Sequence, residues 1–107
     1  MKRMILVNTN NIPGREITEV IGLVRGSTIQ SKHIGKDIVA SLKTIVGGEI
    51  NEYTKMLEQA RKIAIKRMVD DAQSQRADAI VNIRFATSAI MQGAAELLVY
   101  GTAVKIK

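Results

Sequence analysis

Apolar and polar positions change their period several times along the chain, and each change marks an element. Met4-Ile5-Leu6-Val7 is a short apolar run closed by Asn8-Thr9-Asn10-Asn11 and by Ile12-Pro13-Gly14, which reads as a first strand followed by turns. Glu16 to Ile29 alternates unevenly through Ile17, Val20, Leu23 and Val24 and predicts a longer second strand kinked near Gly22 or Gly26. From His33 to Val46 the period becomes helical. Ile34, Ile38, Val39, Leu42, Ile45 and Val46 form one stripe, Lys36, Asp37, Lys43 and Thr44 stand opposite, Ser31 can cap the start, and Gly47-Gly48 is a stop.

A second, longer helix is predicted from about Ile50 to Gln75. Its apolar residues, among them Tyr53, Met56, Leu57, Ile63, Ile65, Met68 and Val69, cover about 240° of the circumference at 100° per residue, so it needs cover on two sides. Ala79 to Ile90 and Ala94 to Ile106 then read as two strands joined by a Gln92-Gly93 hairpin turn. With a two-residue turn, Arg84 falls opposite Gly101 and Glu96 opposite Ala89. Both strands are apolar on both faces: Leu97, Val99 and Ala103 alternate with Leu98, Tyr100, Val104 and Ile106. The expectation is one α+β domain over residues 1–107: a small two-layer unit with a mostly antiparallel sheet, two helices on one face and the other face buried in a homo-oligomer. A faint echo links Leu23-Val24-Arg25-Gly26-Ser27-Thr28-Ile29 to Leu98-Val99-Tyr100-Gly101-Thr102-Ala103-Val104. A glycine inside each strand points to a bulge or a close backbone approach.

Composition narrows the chemistry. No cysteine is present, which removes disulfides, thiolate metal sites and cysteine nucleophiles from this chain. The basic start Met1-Lys2-Arg3 meets a polar run after Val7, no apolar stretch approaches a membrane span, and a cytoplasmic location without membrane contact is expected. A net charge of +6 is spread from Lys2 to Lys107 among ten acids, and with Tyr53, Phe85 and Tyr100 as the aromatics there is no base-stacking platform, so a nucleic-acid module ranks third.

The candidate residues are few. Arg84 and Glu96 are each charged within an apolar strand, and a buried charge needs a partner, so they read as an interface ion pair, as edge-strand charges or as ligand anchors. Asp37, Glu49 and Glu52 flank Gly47-Gly48 and could offer oxygens to a hard cation between subunits. His33, the single histidine, sits between Lys32 and Lys36, which oppose a metal. Asp70 and Asp71 point about 100° apart on a helix and do not chelate together. Gly47-Gly48 lacks the Lys-Ser/Thr of a phosphate loop, and Ser27, Ser31 and Ser88 have no histidine at motif spacing. No catalytic set, no cofactor and no metal site can be assembled from these residues.

Ile45-Val46-Gly47-Gly48 followed by Tyr53, then Ala60-Arg61 with Ala64, Ala77-Asp78-Ala79-Ile80-Val81, and Tyr100-Gly101-Thr102-Ala103-Val104 together resemble the YbjQ-like family, from about Met4 to Ile106. The resemblance implies a small α+β subunit in a ring-shaped homopentamer, a heavy-metal-binding label and no established activity. It departs at Arg76, where the family pattern suggests glycine before Ala77, and at Glu49, where arginine often follows the double glycine.

Overall fold

The computed structural model describes residues 3–31, 51–91 and 94–107. The predicted first helix, the Gly47-Gly48 stop and the Gln92-Gly93 turn lie outside the described residues. Among those described, strands β1 (Ile5–Leu6), β2 (Ile17–Ser31), β3 (Ala79–Met91) and β4 (Ala94–Ile106) form one sheet in the order β1-β3-β4-β2. β1 runs parallel to β3, and the other two pairings are antiparallel. The described residues contain one helix, α1 (Asn51–Ser74), in place of the expected two.

Strands of 13 to 15 residues reach roughly 43 to 50 Å at 3.3 Å per residue, which accounts for a longest dimension of 53 Å. The radius of gyration is 17.2 Å, where a compact chain of this length has about 13 Å. The sheet is therefore too long for one helix to cover. α1 lies over β2 and β4, and the outer half of β3 is largely exposed.

α1 is buried along Ala60, Ala64, Met68 and Ala72, a row spaced by four residues. Three small side chains in that row let the helix backbone approach β2 closely, and β2 answers with Gly26. A methyl group there would overlap the Ala64 carbonyl oxygen and come within 2.5 Å of the Met68 amide nitrogen. Two hydrogen bonds hold the same contact: the buried Thr28 hydroxyl donates to the Ala60 carbonyl at 3.0 Å, and the Arg67 guanidinium to the Ser27 carbonyl at 2.6 Å. Val24, Val99, Ile80 and Ala103 complete this core.

The two echoing segments pair with each other: Val24 faces Gly101, Arg25 faces Tyr100 and Gly26 faces Val99. Each glycine gives room to a neighbour, Gly26 to the helix and Gly101 to Ile80 and Ile83 of β3. The expected kink falls at Gly22, where the register shifts and φ is 142°. On the sheet face away from α1 a second core joins Ala79, Val81 and Val104 to Ile12, carried by the loop after β1. Gly14 at φ 79° turns that loop, and Arg15 donates through Nε to the Lys107 carbonyl at 3.2 Å.

α1 closes with the Ala77 amide donating to the Ala72 carbonyl at 3.1 Å and the Arg76 amide to the Gln73 carbonyl at 3.0 Å. This double closure puts residue 76 in the left-handed region, and Arg76 sits there at φ 62°. The missing glycine thus changes the residue at the cap while the cap itself forms.

Two substitutions test these contacts in urea titrations at fixed protein concentration. Gly26→Ala should lower stability by about 2 to 3 kcal/mol, because the added methyl must displace helix backbone. Arg76→Gly should raise it by about 0.5 to 1 kcal/mol by relieving a left-handed arginine.

Candidate functional site

Two bulges decide which side chains can cooperate. In the β3–β4 ladder the register shifts between Ala89 and Met91 and again between Val81 and Arg84. The first shift corrects the pairing expected from a plain two-residue turn: Arg84 faces Tyr100, not Gly101, and Glu96 faces Ser88, not Ala89. An extra residue near the hairpin end moves all pairs beyond it by one position.

With that register Arg84 and Glu96 share the sheet face away from α1. They are four positions apart along the strands, about 13 Å at 3.3 Å per residue, and no ion pair joins them among the described residues. Arg25 joins the same face through its pairing with Tyr100, so Arg25, Tyr100 and Arg84 form one cross-strand row. Leu23, Ser27 and Ile29 on β2, Leu98 on β4 and Ala86 on β3 surround it. Leu23 is 68% and Ile29 60% exposed, so this part of the sheet is apolar and open. His33, Asp37 and Glu49 lie outside the described residues.

The second bulge builds a cleft. Asn82 takes φ 55°, a conformation that asparagine tolerates better than most residues, and its amide donates to the Thr9 carbonyl at 2.9 Å. Ile83 next donates to the Val7 carbonyl at 3.2 Å, and there the β1 segment turns away from β3. A cleft of about 900 Å³ opens at that point, lined by Leu6, Val7, Asn8, Thr9, Ile83, Arg84 and Phe85. The Arg84 guanidinium is held at its rim by one nitrogen, which donates to the Asn8 carbonyl at 2.8 Å and to the Ile83 carbonyl at 3.0 Å. Its other donors face no protein acceptor among the described residues, and the lining holds no acid. Asn8, Asn82 and Arg25 escaped the sequence reading. An asparagine inside an apolar β-branched run was the available signal for Asn82.

Several other charged side chains make structural contacts away from this site. Lys66 pairs with Asp70 at 2.9 Å one helical turn away, and Asp71 accepts from Gln75 at 3.2 Å. Asp78 accepts from the Ile106 amide at 3.0 Å, fastening the end of β4 beside the start of β3. No group of three or more His, Cys, Asp or Glu side chains comes together among the described residues.

Comparison with known proteins places these features in a lineage. The YbjQ_1 family model, described as "Putative heavy-metal-binding", matches residues 4–107. A UPF0145 protein of Clostridium novyi is 65% identical over 96% of this chain and 99% of its own length. One of Methanosarcina acetivorans is 61% identical over 96% of this chain and 97% of its own. A solved protein of unknown function from Pediococcus pentosaceus shares the fold at 17% identity with a TM-score of 0.59, covering 97% of this chain and 98% of that one.

The observed register makes a direct prediction. Ser88→Lys should place an ammonium opposite Glu96 and stabilise the sheet by about 0.5 kcal/mol at low salt, whereas Ala89→Lys should not. A double-mutant cycle with Glu96→Gln in urea measures the coupling.

Proposed function

The chain belongs to the YbjQ_1 family described as "Putative heavy-metal-binding", and from that premise we propose that it is a non-catalytic, cytoplasmic binding protein that works as a ring-shaped homopentamer. The observation that carries the oligomer is the sheet face opposite α1. Val20, Leu23 and Ile29 stand on it with 60% or more of their surface exposed, in a chain with buried cores on both sides of the same sheet. A patch of this kind, rimmed by Arg25, Arg84 and Glu96, has the make-up of a protein contact. The pentameric count comes from the family resemblance. No helix among the described residues is long and apolar enough to cross a membrane.

The heavy-metal part of the family description fits these residues poorly. Soft ions favour thiolate and imidazole donors, and the chain has no cysteine and one histidine. The polar groups that border the apolar open face are carboxylate and guanidinium, so we give ligand binding there to organic or anionic groups. Arg84 favours this second reading, a small-ligand site between subunits, because its guanidinium is positioned by carbonyls and left without an acid. Glu96, Asp37 and Glu49 belong to that reading as further polar groups.

Native mass spectrometry at micromolar concentration should give an assembly of five 11.7 kDa chains. The double substitution Leu23→Glu with Ile29→Glu should yield monomer with unchanged far-ultraviolet circular dichroism. An unmodified protein that runs as a monomer would remove the reading.

A further inference from the structure

β3 carries an edge that the rest of the sheet does not use. β1 pairs with it at Ala79 and Ile80, and the Val7 carbonyl takes the last hydrogen bond, from Ile83. Beyond Ile83 the strand continues to Met91, and among the described residues no strand pairs with that side. Alternation of period two turns the Phe85 and Thr87 amides the same way as that of Ile83, outward along the bare edge. An extended chain can add there as a further strand, with its main chain satisfied by those groups.

The surroundings of that edge choose the direction and the end of such a chain. The β1 segment already occupies the line along β3 at Leu6 and Val7, so an added strand arriving from the Met91 side meets it at the cleft and must stop. A strand running parallel to β3 would start at the cleft and put an ammonium group against the Arg84 guanidinium. A strand running antiparallel would end there and put a carboxylate against the unused donors of the same guanidinium. A charge-assisted hydrogen bond to the guanidinium favours the second arrangement over the first, which sets two cations together. Leu6 and Phe85, 39% and 48% exposed, supply an apolar wall for the last side chain, and Asn8 and Thr9 supply polar groups around the carboxylate.

We infer that the outer edge of β3 and the Arg84 cleft form a receptor for the carboxyl end of an extended polypeptide that ends in an aliphatic residue. It adds antiparallel to β3, and its terminal carboxylate binds Arg84. The β3 edge is distinct from the open sheet face that the proposed oligomer uses, but Arg84 borders both, so the receptor requires that the assembly leave the Arg84 cleft accessible.

The probe is a fluorescein-labelled peptide, Thr-Val-Thr-Val-Ile, with a free carboxyl end, followed by fluorescence polarisation with the intact chain. Saturable binding is expected, weakened at least tenfold when the carboxyl end is amidated and weakened again as salt is raised. Arg84→Gln should reproduce the loss, while Arg61→Gln, on the exposed side of α1, should leave affinity within twofold. The free-acid against amide comparison uses the unaltered protein, so it decides even if Arg84→Gln loosens the loop at Asn8. Equal affinity for acid and amide, absence of saturable binding, or octanoate binding as tightly as the peptide would each overturn the inference. The last outcome would mark the cleft as a site for small carboxylates. Native mass spectrometry of the same sample reports the subunit count separately, so loss of the pentamer and loss of this site are told apart.

Discussion

The closeness of α1 to β2 is the constraint on which the rest of the molecule depends. The alanine row at 60, 64 and 72 and the bare Cα of Gly26 bring two backbones nearer than larger side chains permit. Thr28 and Arg67 then tie helix carbonyl to strand and strand carbonyl to helix. A helix seated this deeply covers β2, β4 and the start of β3 but does not reach the outer half of β3. The exposure of Phe85, Ile90 and Met91 on the outer half of β3 accords with that placement.

The two β3 bulges act on that surface. Each adds one residue to β3 without adding one to β4, and each therefore exchanges which side chains stand together. The bulge near the hairpin end puts Tyr100 between Arg25 and Arg84. The one at Asn82 ends the pairing with β1, opens the cleft and sets Arg84 at its rim. Charge on this sheet is thus arranged by register more than by sequence neighbourhood.

These effects explain what the sequence discloses. The four strands and the long helix were legible because their periods and glycine punctuation are strong, and their ends agree within about two residues. The doubly apolar strands announced a second face in need of cover, and Ile12 and the loop around it were found to cover part of it. Pairing partners were not legible, because a bulge leaves no mark in the alternation until the opposite strand is known. Arg76 shows another limit: the residue type argues against a left-handed cap, yet the helix-closing hydrogen bonds select that conformation. The site was half legible. Arg84 stood out as a charge in an apolar run, but its carbonyl partner at Asn8 lies 76 positions away and no local pattern connects them.

That separation also bears on how the chain is made. β1 and Ile12 are synthesised well before their partners on β3 and β4. At roughly 5 to 20 residues per second, the 76 positions between Asn8 and Arg84 take about 4 to 15 seconds to synthesise. For that interval Ile5, Leu6 and Ile12 have no sheet to join. Those apolar side chains therefore stay in water beside the polar Asn8-Thr9-Asn10-Asn11 run until the sheet forms.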